Sequence, residues 1–315
     1  MNERGSKRYD VLGIGVVAVD DLVYVDSYPT AEQKVRVLRR RRQCGGQTGT
    51  ALVAAARLGS RAGYIGSLGD RDPLSRTVRR RFEREGIDLS HCVARPEARP
   101  YHSTIVVGRR PPTRTVFSSN DGHAGADPQL PAADVIRSTD VLLIDHHAIA
   151  GTRRAVDIAR AAGVEVVADF ERDPGEGFED LLPLVGHLVL PERFAREWTS
   201  TDSAEKAVSR LWSHERRAVV VTCGADGCWY GDVETYETPR HLPAAKVDVV
   251  DTTGCGDVFH GAYCAGLAEG KTVDGCVRLA SATAALKATR DGGQAGIPRR
   301  EAVEQLLAAW NEAAR

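Results

Sequence analysis

Two aspartates, Asp251 and Asp257, bracket a threonine pair and two glycines in VDTTGCGDVFHG, residues 250–261. KVDVV before them reads as a strand, and the run from Cys255 reads as a helix. Such a helix points its first amides, and the positive end of its dipole, back into the turn. Gly254 and Gly256 lack side chains, so the backbone there can close on an anion. Asp257 falls in the first helical turn, where a carboxylate can accept a proton from an attacking hydroxyl. An anion hole beside a base is the arrangement that phosphoryl transfer to an alcohol requires. A lone aspartate at a helix start is more often a cap. The order D-T-T-G-x-G-D therefore carries more than either acid alone.

These residues need elements to hold them. The first strand spans residues 9–20, and 21–43 alternates apolar and polar residues as a half-buried strand does. GGQTGTALVAAARLG is a glycine turn opening an alanine-rich helix, and DPLSRTVRRRFEREG is an amphipathic helix ended by Gly86. Residues 101–118 are again strand-like. From residue 140 strands and helices alternate, which implies a parallel sheet covered on both faces. A hairpin is expected over 227–238, then three helices after 255, broken near TRDGGQAGIP. The architecture expected is one α/β domain over 1–315, with a small β lid built from insertions at about 21–43 and 101–118. In such sheets ligands bind outside the carboxyl ends of the strands, which is where 251–257 would lie.

Composition narrows the class. The chain has 315 residues, enough for a sizeable core, with 42% hydrophobic and 27% charged. A formal net charge of -1 gives no global pull toward nucleic acid or an anionic membrane. Apolar runs fall far short of the ~20 residues a bilayer span needs. The polar start MNERGSKRYD lacks the apolar core of a signal peptide. Seven cysteines without a C-x-x-C pair suit reduced thiols and a cytoplasmic setting. GIGVVA, residues 13–18, satisfies G-x-G-x-x-A after a strand, which raises a dinucleotide-binding oxidoreductase. VDDLVYVDSYP then continues as strand and turn, so those glycines read as a tight strand end.

The 251–257 stretch closely resembles the carboxyl-terminal signature of the ribokinase (PfkB) family of carbohydrate kinases, usually D-T-x-G-A-G-D. A second family signature is matched by CGGQTGTALVAAARLGSRAGYIGSLGD, residues 44–70, and the likeness covers nearly the whole chain. It implies a ribokinase-like three-layer α/β/α domain, with a mainly parallel sheet plus a small β-sheet lid, and an ATP-dependent sugar kinase. By the same resemblance Asp257 is the catalytic base, and the amides of Gly254, Cys255 and Gly256 form the anion hole. Cys255 stands where alanine is usual, and its thiol is expected to make activity oxidation-sensitive. Asp20, with Asp21 adjacent, matches the aspartate that holds two sugar hydroxyls, and Gly45 and Gly46 match the paired glycines that approach the sugar.

Thr222, Gly224 and Gly227, in VTCGADG, match the family's T-x-G-x-x-G nucleotide segment. Pro191 and Phe194 replace the family's N-x-x-E, with Glu192 a partial substitute, while Mg2+ remains a requirement of the reaction. Asp251, Thr253, Ala288, Asp291 and Gly293 match a monovalent-cation (K+) site. Family lids pair, so a homodimer through the lid is expected.

The carboxyl-terminal third looks most like the sulfofructose kinase and ketohexokinase branches. Lys34 aligns with a lysine that sulfofructose kinases use against the sulfonate, but that family's asparagine and arginine fall near Ser118 and His147 here. An uncharged ketohexose fits at least as well. His146 and His147, as neighbours in a strand, are expected to point to opposite faces, with one of them facing the sugar. Arg39 to Arg42 reads as a solvated lid edge. A nucleoside kinase and a non-catalytic sugar sensor stay open, and the retained Asp257 speaks against the sensor.

Overall fold

The computed structural model describes residues 7–119, 122 and 124–313. The amino-terminal part runs β1 (Tyr9–Ile14), β2 (Ala18–Val25), β3 (Arg39–Gly45), α1 (Gln47–Arg57), β4 (Ala62–Tyr64), β5 (Ser67–Leu68), α2 (Pro73–Arg84), β6 (Val93–Ala94), β7 (Tyr101–Arg109) and β8 (Pro112–Ser119). It continues through α3 (Ala133–Arg137), β9 (Thr139–Asp145), α4 (Ile149–Ala161), β10 (Glu165–Asp169), α5 (Phe178–Leu181), β11 (His187–Pro191), α6 (Glu192–Thr199), α7 (Ala204–Leu211) and β12 (Ala218–Thr222). The short strands β13 (Cys228–Asp232) and β14 (Arg240–Leu242) precede α8 (Cys255–Ala268), α9 (Val273–Ala288) and α10 (Arg300–Ala313).

The large sheet has the order β14-β13-β12-β11-β10-β9-β1-β4. It is parallel from β4 to β12, and β13 and β14 add antiparallel strands at the edge. The central positions of β1 and β9 to β12 are apolar on both faces because both faces are covered, and the polar residues fall at or near the strand ends. In β9, Val141 and Leu143 enter the core shared with α1, α8 and α9. Leu142 and Ile144 enter the opposite core with α4 and α7. β10 and β11 alternate in the same way, and each such buried side chain contributes about 1.5–3 kcal/mol. Among the described residues no helix is long and apolar enough to cross a membrane.

A second sheet, β3-β2-β7-β8, is the lid. It begins within what reads in sequence as one strand over 9–20. That run breaks between Ile14 and Ala18, where the chain leaves the large sheet. Gly15 makes the break, since a Cβ there would collide with the Asp145 carboxylate and the Thr48 hydroxyl. No helix follows these glycines, so the dinucleotide-binding reading has no structural support. A second correction concerns KVDVV, which is not a strand. Val250 and Asp251 donate their amides to the Ala288 carbonyl at 2.8 and 3.0 Å, so this segment is tied to the end of α9 instead of to a sheet neighbour.

Candidate active site

Two helix starts meet at the crevice beyond the strand ends. α1 is capped by Gly46 and α8 by Gly254. Their axes approach closely because Gly261 of α8 lies against the backbone of Ala51, where any Cβ would collide. A Cβ on Gly254 would stand 3.4 Å from Thr50 in the first turn of α1. Two positive dipole ends therefore share one space, a setting that favours an anion. Gly46 (φ 84°) would bring a Cβ to 2.7 Å from the Val16 carbonyl oxygen. Gly256 differs, since a Cβ there would meet nothing within 4 Å. The fold itself leaves that space open beside the amides of 254–256.

Asp257 sits in the first turn of α8, partly open to the crevice. Burial, with Asp169 and Glu171 adding negative charge, holds its proton affinity well above the usual carboxylate range. That is the direction a general base working near neutral pH needs. Asp169, 2% exposed at the end of β10, is pushed up likewise, by burial first and then by Glu171 and Asp145. Its Oδ1 accepts from Gln47 Nε2 at 3.0 Å, and its Oδ2 lies 3.4 Å from His260 Nδ1. His260 Nδ1 also faces the Gly256 carbonyl at 2.9 Å, which links this pair to the anion hole.

The lid supplies Asp20 from β2. It pairs in register with Gln43 of β3 and Ser103 of β7, and both side chains hydrogen-bond its carboxylate. Burial outweighs them and raises its proton affinity. Asp20 Oδ2 would lie 2.7 Å from a Cβ on Gly45, so the glycine makes room for it. Strand alternation sends Asp21 to the other face, where Arg42 binds it through two 2.7 Å hydrogen bonds and holds it down at about 2. Of these two neighbours, Asp20 is the one beside the glycine pair.

Asp145, fully buried at the end of β9, accepts from the Val16 amide, the Thr48 hydroxyl, and both the amide and the ring Nδ1 of His147. The carboxyl stays below its ordinary range because these donors outweigh burial. His146 and His147 do not splay. Their ring centroids are 4.3 Å apart, because β9 ends at Asp145 and strand alternation no longer applies. No group of three or more metal-binding side chains gathers among the described residues. His146 is buried and pushed down to about 4, chiefly by desolvation. Lys34 is exposed in the loop before β3 and makes no hydrogen bond or ion pair among the described residues.

Thr222, Gly224 and Gly227 line a cavity of ≈ 540 Å³ whose other wall includes Cys255, Gly256 and Ser281. The two sequence motifs are thus joined through one space, with the start of α8 in its wall. Phe194 is a core residue against Phe178 and Trp198, and Glu192 pairs with Arg196 at 3.2 Å. Burial raises the Cys255 thiol, which keeps it protonated. That burial works against the expected oxidation sensitivity, because the thiolate is the reactive form.

The five residues of the cation reading do come together, but much of their capacity is taken. Asp251 accepts from the amides of Thr253 and Gly292, both at 2.8 Å. The Ala288 carbonyl holds two amides, and the Asp291 carboxylate pairs with Arg39 and Arg41. Gly293 packs near Thr253 and Gln43. Lys287, fully buried, places its ammonium 2.6 Å from the Asp251 carbonyl oxygen. A fixed cation already occupies part of this place.

Sequence reasoning missed Asp145, Asp169, Lys287 and Arg114. The first two end parallel strands, a position that marks ligand sites in such sheets. Arg114 of the lid strand β8 donates from Nη1 to the Thr253 hydroxyl at 2.6 Å, so a guanidinium lies over the anion-hole turn. Its partner is distant in sequence, and nothing local announces the contact.

The model for pfkB family carbohydrate kinases matches residues 14–300. A ribokinase of Haemophilus influenzae is 29% identical over 271 residues, 84% of this chain and 87% of its own. A 5-dehydro-2-deoxygluconokinase of Shouchella clausii is 25% identical, covering 96% of both chains. A crystal structure from Agrobacterium tumefaciens superposes with a TM-score of 0.88 at 30% identity, over 96% of this chain and 99% of that one. The family model over nearly the whole chain, together with these relatives, shows that the chain belongs to the pfkB family of carbohydrate kinases and is an ATP-dependent sugar kinase.

Proposed function

We propose that the protein transfers the γ-phosphoryl group of Mg-ATP to a hydroxyl of an uncharged, ketohexose-like sugar. The observation that carries this reading is the open space at Gly256, bounded by the α8 amides, the ≈ 540 Å³ cavity and Asp257. The acceptor hydroxyl lies between Asp20 and Asp257. Asp257 takes its proton as oxygen attacks phosphorus, and the amides of Gly254, Cys255 and Gly256 hold the transferring group. ATP lies along Thr222, Gly224 and Gly227. Gly45 and Gly46 let the sugar approach the backbone, and His147, anchored to Asp145 through Nδ1, keeps Nε2 for a sugar hydroxyl.

An uncharged acceptor is favoured because the donors an anionic head group needs are not assembled. Lys34 is unpartnered, and the position near Ser118 offers only a hydroxyl. Mg2+ bound with ATP would supply charge neutralisation on the phosphates, and Pro191 and Phe194 offer it no side-chain ligand in place of N-x-x-E. The Asp251 loop does not fit a K+ ion well, because Lys287 and backbone amides use its acceptors, so no step is routed through one. Pairing of two lids into a homodimer is supported by Val116 and Phe117 on the edge strand β8, which are 50% and 54% exposed.

The direct test is ADP release with Mg-ATP across ketoses, ribose, aminosugars, sulfofructose, sugar phosphates and nucleosides. A ketohexose is expected to give the strongest turnover. D257N should lower it by about 10²–10⁴-fold, through loss of the base. Near-normal turnover in D257N removes Asp257 from its role, and a preference for a sulfonated sugar or a nucleoside overturns the acceptor class.

A further inference from the structure

Against the lid edge strand β3 lies a pocket of ≈ 350 Å³ between β3, α2 and the loop after α9. Five arginines line it: Arg41 and Arg42 from β3, and Arg80, Arg81 and Arg84 from α2. The phosphoryl-transfer site uses none of them. Three have acidic partners that are already shared or committed. Arg41 shares Asp291 with Arg39, Arg42 holds Asp21, and Arg81 shares Glu85 with Arg57. Arg80 and Arg84 form no ion pair among the described residues, and both are exposed. They stand one turn apart, where like charges repel along a helix.

A second observation points the same way. Gln294 is 2% exposed and lines the pocket. Its Oε1 accepts from Arg81 Nε at 3.0 Å, which fixes the amide's orientation. Its Nε2 then has donor hydrogens and no partner. A buried amide donor left unpaired beside an excess of guanidinium groups is a cradle for oxyanions. The volume suits a small molecule, not a protein segment.

We propose that this pocket binds a phosphorylated small molecule, at a site separate from the catalytic crevice. The phosphate oxygens meet Arg80 and Arg84 from α2, Arg41 from β3, and the Gln294 amide. The wall also contains Gln43, the residue that hydrogen-bonds Asp20, so an occupant rests directly on the strand that frames the sugar site.

The test is thermal unfolding with inorganic pyrophosphate as the probe. The full-length protein is measured both without nucleotide and with adenosine in place of ATP, so that no second phosphate competes for the pocket, and sodium chloride controls are matched in ionic strength. The wild type should show a saturable rise in Tm. The R80A/R84A double variant, altered only at exposed side chains, should unfold at the same temperature without probe and need about tenfold more for half-saturation. A rise that does not saturate, that sodium chloride reproduces, or that is unchanged in the variant overturns the site. A response to a glutamate-rich peptide but not to pyrophosphate overturns it too, assigning the surface to a protein partner.

Discussion

At the scale of single residues, the site rests on carboxyl groups whose environments push them apart. Asp145 is drained by four donors and stays ionised, while Asp257, partly open to the crevice, and buried Asp169 raise each other's proton affinity. Asp257 must be ionised to accept a proton, so turnover should fall as pH drops through its raised value. The acid limb of the kcat–pH profile then lies above the ordinary carboxylate range. Replacing Asp169 with asparagine removes a negative neighbour and should move that limb to lower pH; an unmoved limb would detach Asp169 from the base. Stability carries the opposite sign. A carboxyl whose proton affinity rises on folding adds stability at low pH and loses it as pH rises through the folded value. At pH 8, D257N should therefore be more stable than the wild type by roughly 0.5–2 kcal/mol, read by denaturant unfolding, even as it loses activity.

At the scale of elements, glycines do two jobs that one pair of variants separates. Gly46 lets α1 start where the chain crosses under the lid, at a positive φ and against the Val16 carbonyl. Alanine there should cost about 1–3 kcal/mol of stability. Gly256 opens α8 with empty space over its Cα. Alanine there should leave Tm near the wild-type value while kcat/KM falls by on the order of 10²-fold, because the methyl group takes the phosphoryl's place. A G256A protein with full activity would show that the anion is held elsewhere. The α8 start itself is fastened by tertiary bonds, Ala288 to Val250 and Asp251, and Asp251 to Gly292, and not by a strand.

At the scale of the molecule, the lid and the large sheet meet across the site through Arg114 and Thr253. A guanidinium delivered by a lid can stabilise a transferring phosphoryl group only when the lid is closed. R114A should lower kcat by about 10²-fold or more with a smaller change in the KM for ATP, measured by steady-state kinetics. An effect on KM alone would make the contact a simple latch. The outer edge of the same lid offers Val116 and Phe117. The V116E/F117E variant should sediment as a monomer where the wild type sediments as a dimer, and identical sedimentation of the two would place any interface elsewhere.

The sequence by itself determined the layered α/β class, most of its helices and parallel strands, and the loop that holds Asp257. Those features rest on local periodicity and on glycine's backbone freedom, which neighbouring residues express without help. Its likeness to the family signatures also picked out Asp20, which lies within β2, and Thr222, Gly224 and Gly227, which lie at and just after the end of β12. Only the tertiary structure decided which of Asp20 and Asp21 faces Gly45, since the choice depends on pairing with Gln43 and Ser103 across the sheet. It alone brought the His146 and His147 rings together, because β9 stops at Asp145 and strand alternation ends there. It alone buried Lys287 against Asp251, set Asp169 beside Asp257, and gathered five arginines from two elements around Gln294. Charges act through space, and their neighbours in space are set by packing between segments far apart in the chain.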